Sequence, residues 1–200
     1  MAQINTIAIY GESGHGSVVA DIALALGYKN ILWIDDKPKN SALDFTTFCK
    51  QHPNVPVALG IGNNQLRQKI SNRLKEADVT LATLIHPSAI VSPSAVIGEG
   101  SVIMPLAVVN ANATIGQGSI LNSACVVEHD VTLQDFVHIS PQVALAGGVF
   151  VGEMSHIGIG SSVIQNITIG SNSTIGAGSS VVSDIPSFVT AVGVPCKVLR

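Results

Sequence analysis

The chain has 200 residues, a formal net charge of −3 and a pI near 6.0, with 46% hydrophobic residues but only 4% aromatic and 12% charged ones. That length is enough for one or two domains with a real core, and the weakly acidic balance gives no basic footprint for nucleic acid. A mean hydropathy of +0.45 raises the question of a membrane span, but the uncharged stretches 101–127 and 154–183 are interrupted throughout by Gly, Ser, Asn, Gln and Thr, so neither is a continuous apolar run of about 20 residues.

The N-terminus enters a strand-like run, Ile4–Tyr10, without a basic n-region or cleavage site, which predicts a soluble, cytoplasmic protein. Gly11-Glu-Ser-Gly-His-Gly16 follows, then a helical pattern over 17–26 that stops at Gly27. A second short strand, Ile31–Ile34, is closed by Asp35, Asp36 and Pro38. Val57–Ile61 reads as a third strand and leads into Gly62-Asn63-Asn64. Residues 65–77 have the spacing and charges of an exposed amphipathic helix, with Leu66, Ile70 and Leu74 on one stripe. A fourth strand is expected over Val79–Ile85. Strands alternating with helices predict a small parallel sheet with right-handed crossovers, a half-Rossmann unit over residues 1–84.

From residue 85 the helical periodicity gives way to a hexad. An aliphatic anchor recurs at Ile85, Val91, Ile97, Ile103, Val109, Ile115, Leu121, Val127, Leu133, Ile139, Leu145, Val151, Ile157, Val163, Ile169, Ile175 and Val181. Ile, Leu and Val make up 60 of the 200 residues, so chance would give such a run in one fixed frame on the order of once in a billion. A hexapeptide period marks a parallel β-helix. Each hexad supplies one flat side, the anchor points inward, and residues eighteen apart stack at roughly 4.8 Å. The residue four after the anchor is small or β-branched (Ala89, Ala95, Ser101, Ala107) and is expected to sit at the corner. A thin prism has no room for rings, which accounts for the scarcity of aromatics. Position six should face outward. It forms one column of Ile90, Val108 and Val126 and another of Val102, Ile120, His138, His156 and Thr174, and an outward apolar column predicts a subunit interface. The alternative is that these residues pack beneath the N-terminal half.

Taken on their own, several groups admit both a chemical and a plain reading. His129 lies between Glu128 and Asp130 in the one hexad whose middle breaks its small-polar habit. It has the chemistry of a general base, although such a residue can equally be a solvated corner. His138 and His156 share an outward column and could be a stacked surface pair. The strand–Gly11-x-x-Gly14-x-Gly16–helix segment could cradle a pyrophosphate on backbone amides, but the spacing departs from Gly-x-Gly-x-x-Gly and the second mononucleotide half is missing, which argues against NAD. Cys49, Cys125 and Cys196 form no CxxC and no metal spacing, as expected of reduced thiols. His129, His138 and His156 lack the pair separated by four residues that a β-helical zinc carbonic anhydrase needs, so no metal is expected.

The hexads resemble those of the hexapeptide-repeat acyltransferases, and Gly193-Val-Pro-Cys-Lys197 is similar to the Gly-x-Pro-Ala-Lys tail of that family, with Cys196 in place of Ala. Gly11-x-Ser-Gly-His-Gly16, Asp35-Asp36, Ile61-Gly-Asn-Asn64, Leu-Ile-His86-Pro and Asn122…Glu128-His129 narrow the resemblance to sugar-nucleotide acetyltransferases of the bacillosamine and sialic-acid pathways. It is nearest to the UDP-N-acetylbacillosamine N-acetyltransferases and spans essentially the whole chain. The resemblance implies an N-terminal sugar-nucleotide domain (1–84) and a left-handed β-helix with a C-terminal tail (85–200), assembled as a homotrimer. It implies acetyl transfer from acetyl-CoA to the 4-amino group of a UDP-linked amino-dideoxy sugar. His129 would be the base with Asp130 or Glu128 orienting it; Ser13, Gly14, His15, Asp35, Asp36, Gly62 and Asn122 would hold the acceptor; His138, Ile159, Gly160 and Ala177 would hold acetyl-CoA. Sialic acid O-acetylation, N-acetylation of a GDP-linked amino sugar, and a non-catalytic sugar-nucleotide scaffold are the rival expectations.

Overall fold

The structure, a computed structural model, describes residues 5–37 and 41–199. Ile4 and Pro38, which figure in the motifs above, and Arg200, the end of the expected C-terminal tail, lie outside them. The N-terminal part is a three-stranded parallel sheet in the order β2-β1-β3, formed by β1 (Thr6–Tyr10), β2 (Asn30–Ile34) and β3 (Val57–Leu59). Helix α1 (Gly14–Ala25) is capped by Ser13, whose side chain accepts the Gly16 amide, and the chain leaves it through Gly27 at φ +93°. Helix α2 (Phe45–Gln51), capped by Asp44, buries Phe48 against the sheet; the sequence reading has no helix there. Helix α3 (Asn64–Glu76) buries Arg67, Ile70, Ser71 and Leu74 and leaves Leu66 largely exposed, so its inner stripe lies one residue round from the Leu66–Ile70–Leu74 line.

The expected fourth strand does not form. Leu81 makes a single parallel bridge to Val57, and Leu84–Ile85 pairs with Val102–Ile103, so it is already the first rung of the prism. The apolar run is real, but it divides its hydrogen bonds between two structures.

The rest of the chain is a left-handed parallel β-helix of two-residue rungs in three stacked sheets. The first face carries Leu84, Val102, Ile120, His138, His156 and Thr174 in register. The second carries Ile90, Val108, Val126, Ala144, Ser162 and Ser180. The third carries Val96, Thr114, Thr132, Phe150 and Thr168. Every anchor from Ile103 to Val181 is at most 3% exposed, and burying each contributes roughly 1.5–3 kcal/mol before the cost of ordering the backbone.

The corner lies one residue earlier than expected. The left-handed backbone falls three residues after the anchor, at Gly100, Leu106, Asn112, Gly118, Ala124, Asp130 and onward at every sixth position to Gly178, with φ near +60°. The small residue at the fourth position follows the turn and points inward, where the triangle narrows; Ser101, Ala107, Ala113 and Cys125 are fully buried. The buried serines satisfy themselves between coils: Ser101 donates to the Gly116 carbonyl and accepts the Ser119 amide, each at 3.0 Å. Past Val181 the prism closes with a short coil. Ile185 bridges Ile169, Thr190–Val192 stacks on Thr174–Ile175, and Lys197–Val198 turns back antiparallel to cover that edge.

The first face answers the question of the outward apolar columns. Leu84, Val102 and Ile120 are buried in one cluster with Ile7, Ile9, Val19 and Ile22, so these first three rungs of the column pack beneath the N-terminal sheet and α1 and are not free to meet another subunit. The column of Ile90, Val108 and Val126 on the second face is not covered in this way, and Ile90 is 66% exposed. Helix α3 adds a polar clamp. Arg67 is 1% exposed, and its guanidinium donates to the carbonyls of Gly118 (2.6 Å), Phe136 (2.9 Å), Ile61 and Gly62 and to Asn64 Oδ1. Asn64 in turn donates to Met154 O at 2.8 Å. Three successive corners of the prism edge are therefore bound to one helix.

Candidate active site

His129 and Asp130 occupy the corner between the second and third faces. Asp130 takes the left-handed position at φ +60°, a conformation that Asp and Asn tolerate better than most residues. Asp130 Oδ2 lies 2.7 Å from His129 Nδ1. Its other oxygen accepts Asn112 Nδ2 at 3.1 Å, from the coil eighteen residues earlier. Glu128 instead accepts the main-chain amide of His129, at 3.3 Å. The hydrogen bond to Asp130 is the main reason the His129 pKa lies above its ordinary value, with the charges of Asp130 and Glu128 adding to it. The same bond holds the Asp130 carboxyl below the usual carboxylate range. The arrangement fixes Nδ1 and leaves Nε2 as the nitrogen that can exchange a proton with a ligand. The His129 side chain is 62% exposed.

A second group forms where the N-terminal part meets the first face. His138 and His156 stack with ring centroids 4.6 Å apart and planes 8° from parallel. The His15 ring comes from the first turn of α1 to 6.4 Å from His138. Asn122 Nδ2 is 3.4 Å from His138 Nε2, Ser140 Oγ is 2.8 Å from His156 Nε2, and the His138 ring reaches the Gly62 main chain. Burial, reinforced by the nearby Arg67 cation, pushes His15 down to about 4. Burial together with His156, Arg67 and His15 pushes His138 down to about 3. Burial also lowers His156. At neutral pH these are three uncharged imidazoles beside a guanidinium that, although burial pulls it down to about 9, keeps its proton. His15 Nε2 is buried and has no hydrogen-bond partner among the described residues.

The glycine-rich loop is tighter than its sequence suggests. A Cβ on Gly16 would sit 2.0 Å from the Gly11 carbonyl oxygen, so α1 can lie over the end of β1 only with glycine there. Asp35 braces the loop, since Oδ2 accepts the Glu12 amide at 3.0 Å and Oδ1 accepts the Lys37 amide at 2.9 Å. Ser13 Oγ reaches the Gly60 carbonyl at 3.4 Å. Asp36 Oδ1 accepts the Tyr10 hydroxyl at 2.7 Å and Arg73 at 2.6 Å, and Arg73 lies 4.1 Å over the Phe45 ring. Beside this network a cavity of about 300 Å³ is lined by Tyr10, Gly11, Asp35, Asp36, Ile61 and Ile70, among others.

The fold thus gathers His15, Gly62, Asn122 and His138 at one junction and sets Asp35 against the loop that carries Ser13 and Gly14, while Asp36 is tied to Tyr10 and Arg73. Gly160, at φ +67°, and Gly178, at φ +65°, lie on the corner between the first and second faces. Ile159, half-exposed, and Ala177 directly precede them. His129 and Asp130 stand apart, on the edge opposite the first face. Sequence reasoning missed Arg67, Asn64, Tyr10, Arg73 and Asn112. Of these, Asn64 had a signal as the end of the Ile61-Gly-Asn-Asn64 motif, and Asn112 had one because the stacking rule places it directly beneath Asp130. Among the described residues no group of three or more His, Cys, Asp or Glu is placed to hold a metal ion, and no helix is long and apolar enough to cross a membrane.

Two family models match the chain: the PglD N-terminal domain over residues 6–74 and the bacterial transferase hexapeptide (six repeats) over residues 94–129. A curated relative, the UDP-N-acetylbacillosamine N-acetyltransferase of Bacillus subtilis (strain 168), is 41% identical over 112 residues, 50% of this chain and 52% of that protein. The chain therefore spans about half the length of that relative. Among solved structures, the acetyltransferase domain of PglB from Neisseria gonorrhoeae FA1090 in complex with acetyl coenzyme A is 40% identical, with a TM-score of 0.93 over 98% of this chain and 99% of that one. A histidine-to-alanine variant of the GDP-perosamine N-acetyl transferase from Caulobacter crescentus, in complex with CoA and GDP-perosamine, is 36% identical, with a TM-score of 0.94 over 98% of this chain and 97% of that one.

Proposed function

Since this chain belongs to the hexapeptide-repeat sugar acetyltransferases, we propose that it moves an acetyl group from acetyl-CoA to the 4-amino group of a UDP-linked amino-dideoxy sugar, with His129 as general base. The observation that carries the reading is the chain of contacts Asn112–Asp130–His129, which fixes one imidazole nitrogen and leaves the other open on an exposed edge. The curated relative supplies the substrate class, and the neighbours bound to acetyl-CoA or CoA supply the donor.

In this reading His129 Nε2 takes a proton from the sugar amine as its nitrogen attacks the thioester carbonyl. The tetrahedral adduct collapses with loss of the CoA thiolate, and the imidazolium returns its proton to that sulfur. Asp130 stabilises the imidazolium, and a backbone amide of a glycine-rich corner supports the oxyanion. The acceptor lies on Ser13, Gly14, His15, Asp35, Asp36, Gly62 and Asn122, its pyrophosphate against the first-turn amides of α1. The neutral His138, with Ile159, Gly160 and Ala177, lines the path of acetyl-CoA.

These groups lie on different edges of one prism from His129, so a complete site needs a second copy. We therefore propose a homotrimer in which the corner bearing His129 faces the first face of the neighbouring chain. The uncovered column of Ile90, Val108 and Val126 suits that contact. The test is CoA release against a panel of UDP- and GDP-linked 4-amino sugars. Turnover of a UDP-linked sugar with a kcat/KM at least tenfold above its GDP counterpart supports the reading. The reverse preference favours the second reading, N-acetylation of a GDP-linked amino sugar, which the neighbour bound to GDP-perosamine supports. No CoA release with any member of the panel would overturn both.

A further inference from the structure

The hexad accounts for nearly every glycine in the prism, and Gly147 is the exception. Gly148 takes the left-handed corner at φ +68°, as Gly100, Gly118, Gly160 and Gly178 do. Gly98, Gly116, Gly152 and Gly170 directly follow an anchor, where a Cβ would strike backbone atoms of the next coil. Gly147 stands two residues after its anchor, Leu145. No other hexad from Ile85 to Val181 has glycine there; the position holds Pro, Glu, Gln, Ser, Ala, His, Asp or Ile. Its backbone lies outside the left-handed region, so neither the corner nor the stacking of coils requires it.

What Gly147 meets is the His129 ring. The rungs Val126–Val127 and Ala144–Leu145 pair in register, and the Gly148 amide donates to the His129 carbonyl at 3.0 Å, which sets residue 147 directly above residue 129. A Cβ built on Gly147 would lie 2.6 Å from both Cε1 and Nε2 of His129 and 3.2 Å from Nδ1, whereas ordinary contact begins at 3.4 Å. The three nearest heavy atoms all belong to that ring.

We infer that Gly147 is a positioning residue for His129: its missing side chain is the slot in which the imidazole lies, with Nδ1 on Asp130 and Nε2 towards the acceptor amine. The inference rests on the reading of His129 as general base. An alanine here requires the ring to move by most of an ångström, and a displacement of that size at a reacting group costs on the order of 100-fold in rate. The backbone conformation suits alanine, and the obstructing atoms are the end of an exposed side chain, so the fold should tolerate the change.

The experiment is Gly147→Ala, alone and combined with His129→Ala, read by CoA release, thermal melting and an NMR titration of the His129 imidazole. Glu128 and Asp130 are the charged groups that face this ring. The expected outcome is an unchanged melting temperature, a kcat lower by roughly 100-fold with KM little altered, and an imidazole that titrates at lower pH because its contact with Asp130 is loosened. In the His129→Ala background Gly147→Ala should have no further effect. An unchanged His129 titration with unchanged kcat would overturn the inference and leave the assigned base standing. A displaced ring with full activity would instead overturn the assignment of the base, and the inference with it. A further loss of more than tenfold in the His129→Ala background would show that the glycine acts by another route and would also overturn the inference.

Discussion

His129 and Asp130 are neighbours in sequence, and their side chains meet at 2.7 Å across a corner whose left-handed residue is Asp130 itself. The backbone turn that closes the prism edge thus also folds a carboxylate back onto the preceding imidazole. Asn112, eighteen residues earlier, holds the carboxylate from the coil below. A repeat that exists to stack aliphatic residues supplies a buttressed histidine through three residues, His129, Asp130 and Asn112, that lie outside its aliphatic core.

Replacing Asp130 with Asn should lower kcat by roughly 10- to 100-fold, no more than the lower end of a general base's whole contribution. The pH profile carries the sign. Only the neutral imidazole accepts a proton, and the bond to Asp130 raises the His129 pKa above 6.5, so wild-type activity should rise with pH through a limb above 6.5. Without the carboxylate the limb should move to lower pH. Glu128→Gln should move it less, because that carboxylate binds the main-chain amide. A limb that stays in place in Asp130→Asn would contradict the pairing.

Arg67→Met should destabilise the chain by about 3 kcal/mol or more, because buried hydrogen bonds from a charged group are among the costlier ones to lose. The Gly118 and Phe136 carbonyls would lose their link to α3. Urea unfolding checks this, and a midpoint within error of wild type would refute it. The same variant should raise the pKa of His15, His138 and His156, all of which the Arg67 charge lowers.

Acid should weaken the junction. His15 and His138 have folded values of about 4 and about 3 against 6.5 for the free side chain. Below pH 6.5 the unfolded chain binds protons that the folded chain refuses, so stability is full above that pH and falls as pH drops towards the folded values. Each of the two should cost up to about 2 kcal/mol at pH 5, and His156 adds in the same direction. Denaturation measured between pH 7 and pH 5 tests the sign, and a flat profile would contradict it.

Gly16→Ala forces α1 off the Gly11 carbonyl, so it should destabilise by about 1–3 kcal/mol and raise the KM for the nucleotide sugar more than that for acetyl-CoA. Equal effects on the two substrates would argue against the loop as part of the acceptor site.

The prism was legible because its anchors are periodic and, from Ile103 onward, all buried for the same reason. Its corner was less so: smallness at the fourth position reads as a tight turn, and although Gly, Asn or Asp hold nine of the fourteen left-handed positions from Gly100 to Gly178, Leu106, Phe136 and Met154 interrupt that signal. The docking of the two halves left the weakest trace. Arg67 on a charged helix reads as solvent-facing, and only the three-dimensional fold supplies the five oxygen acceptors that let it be buried. Val102 and Ile120 read as an interface with another chain, and in the structure they meet Ile7 and Val19 of their own. Val79–Ile85 reads as one strand because hydrophobicity does not reveal which sheet each residue will join.

The central claim is that His129 is the general base, and His129→Ala tests it most directly. With the best acceptor of the panel, kcat for CoA release should fall by at least about 100-fold, while the nucleotide sugar still raises the melting temperature as it does in wild type. Turnover within threefold of wild type would contradict the account.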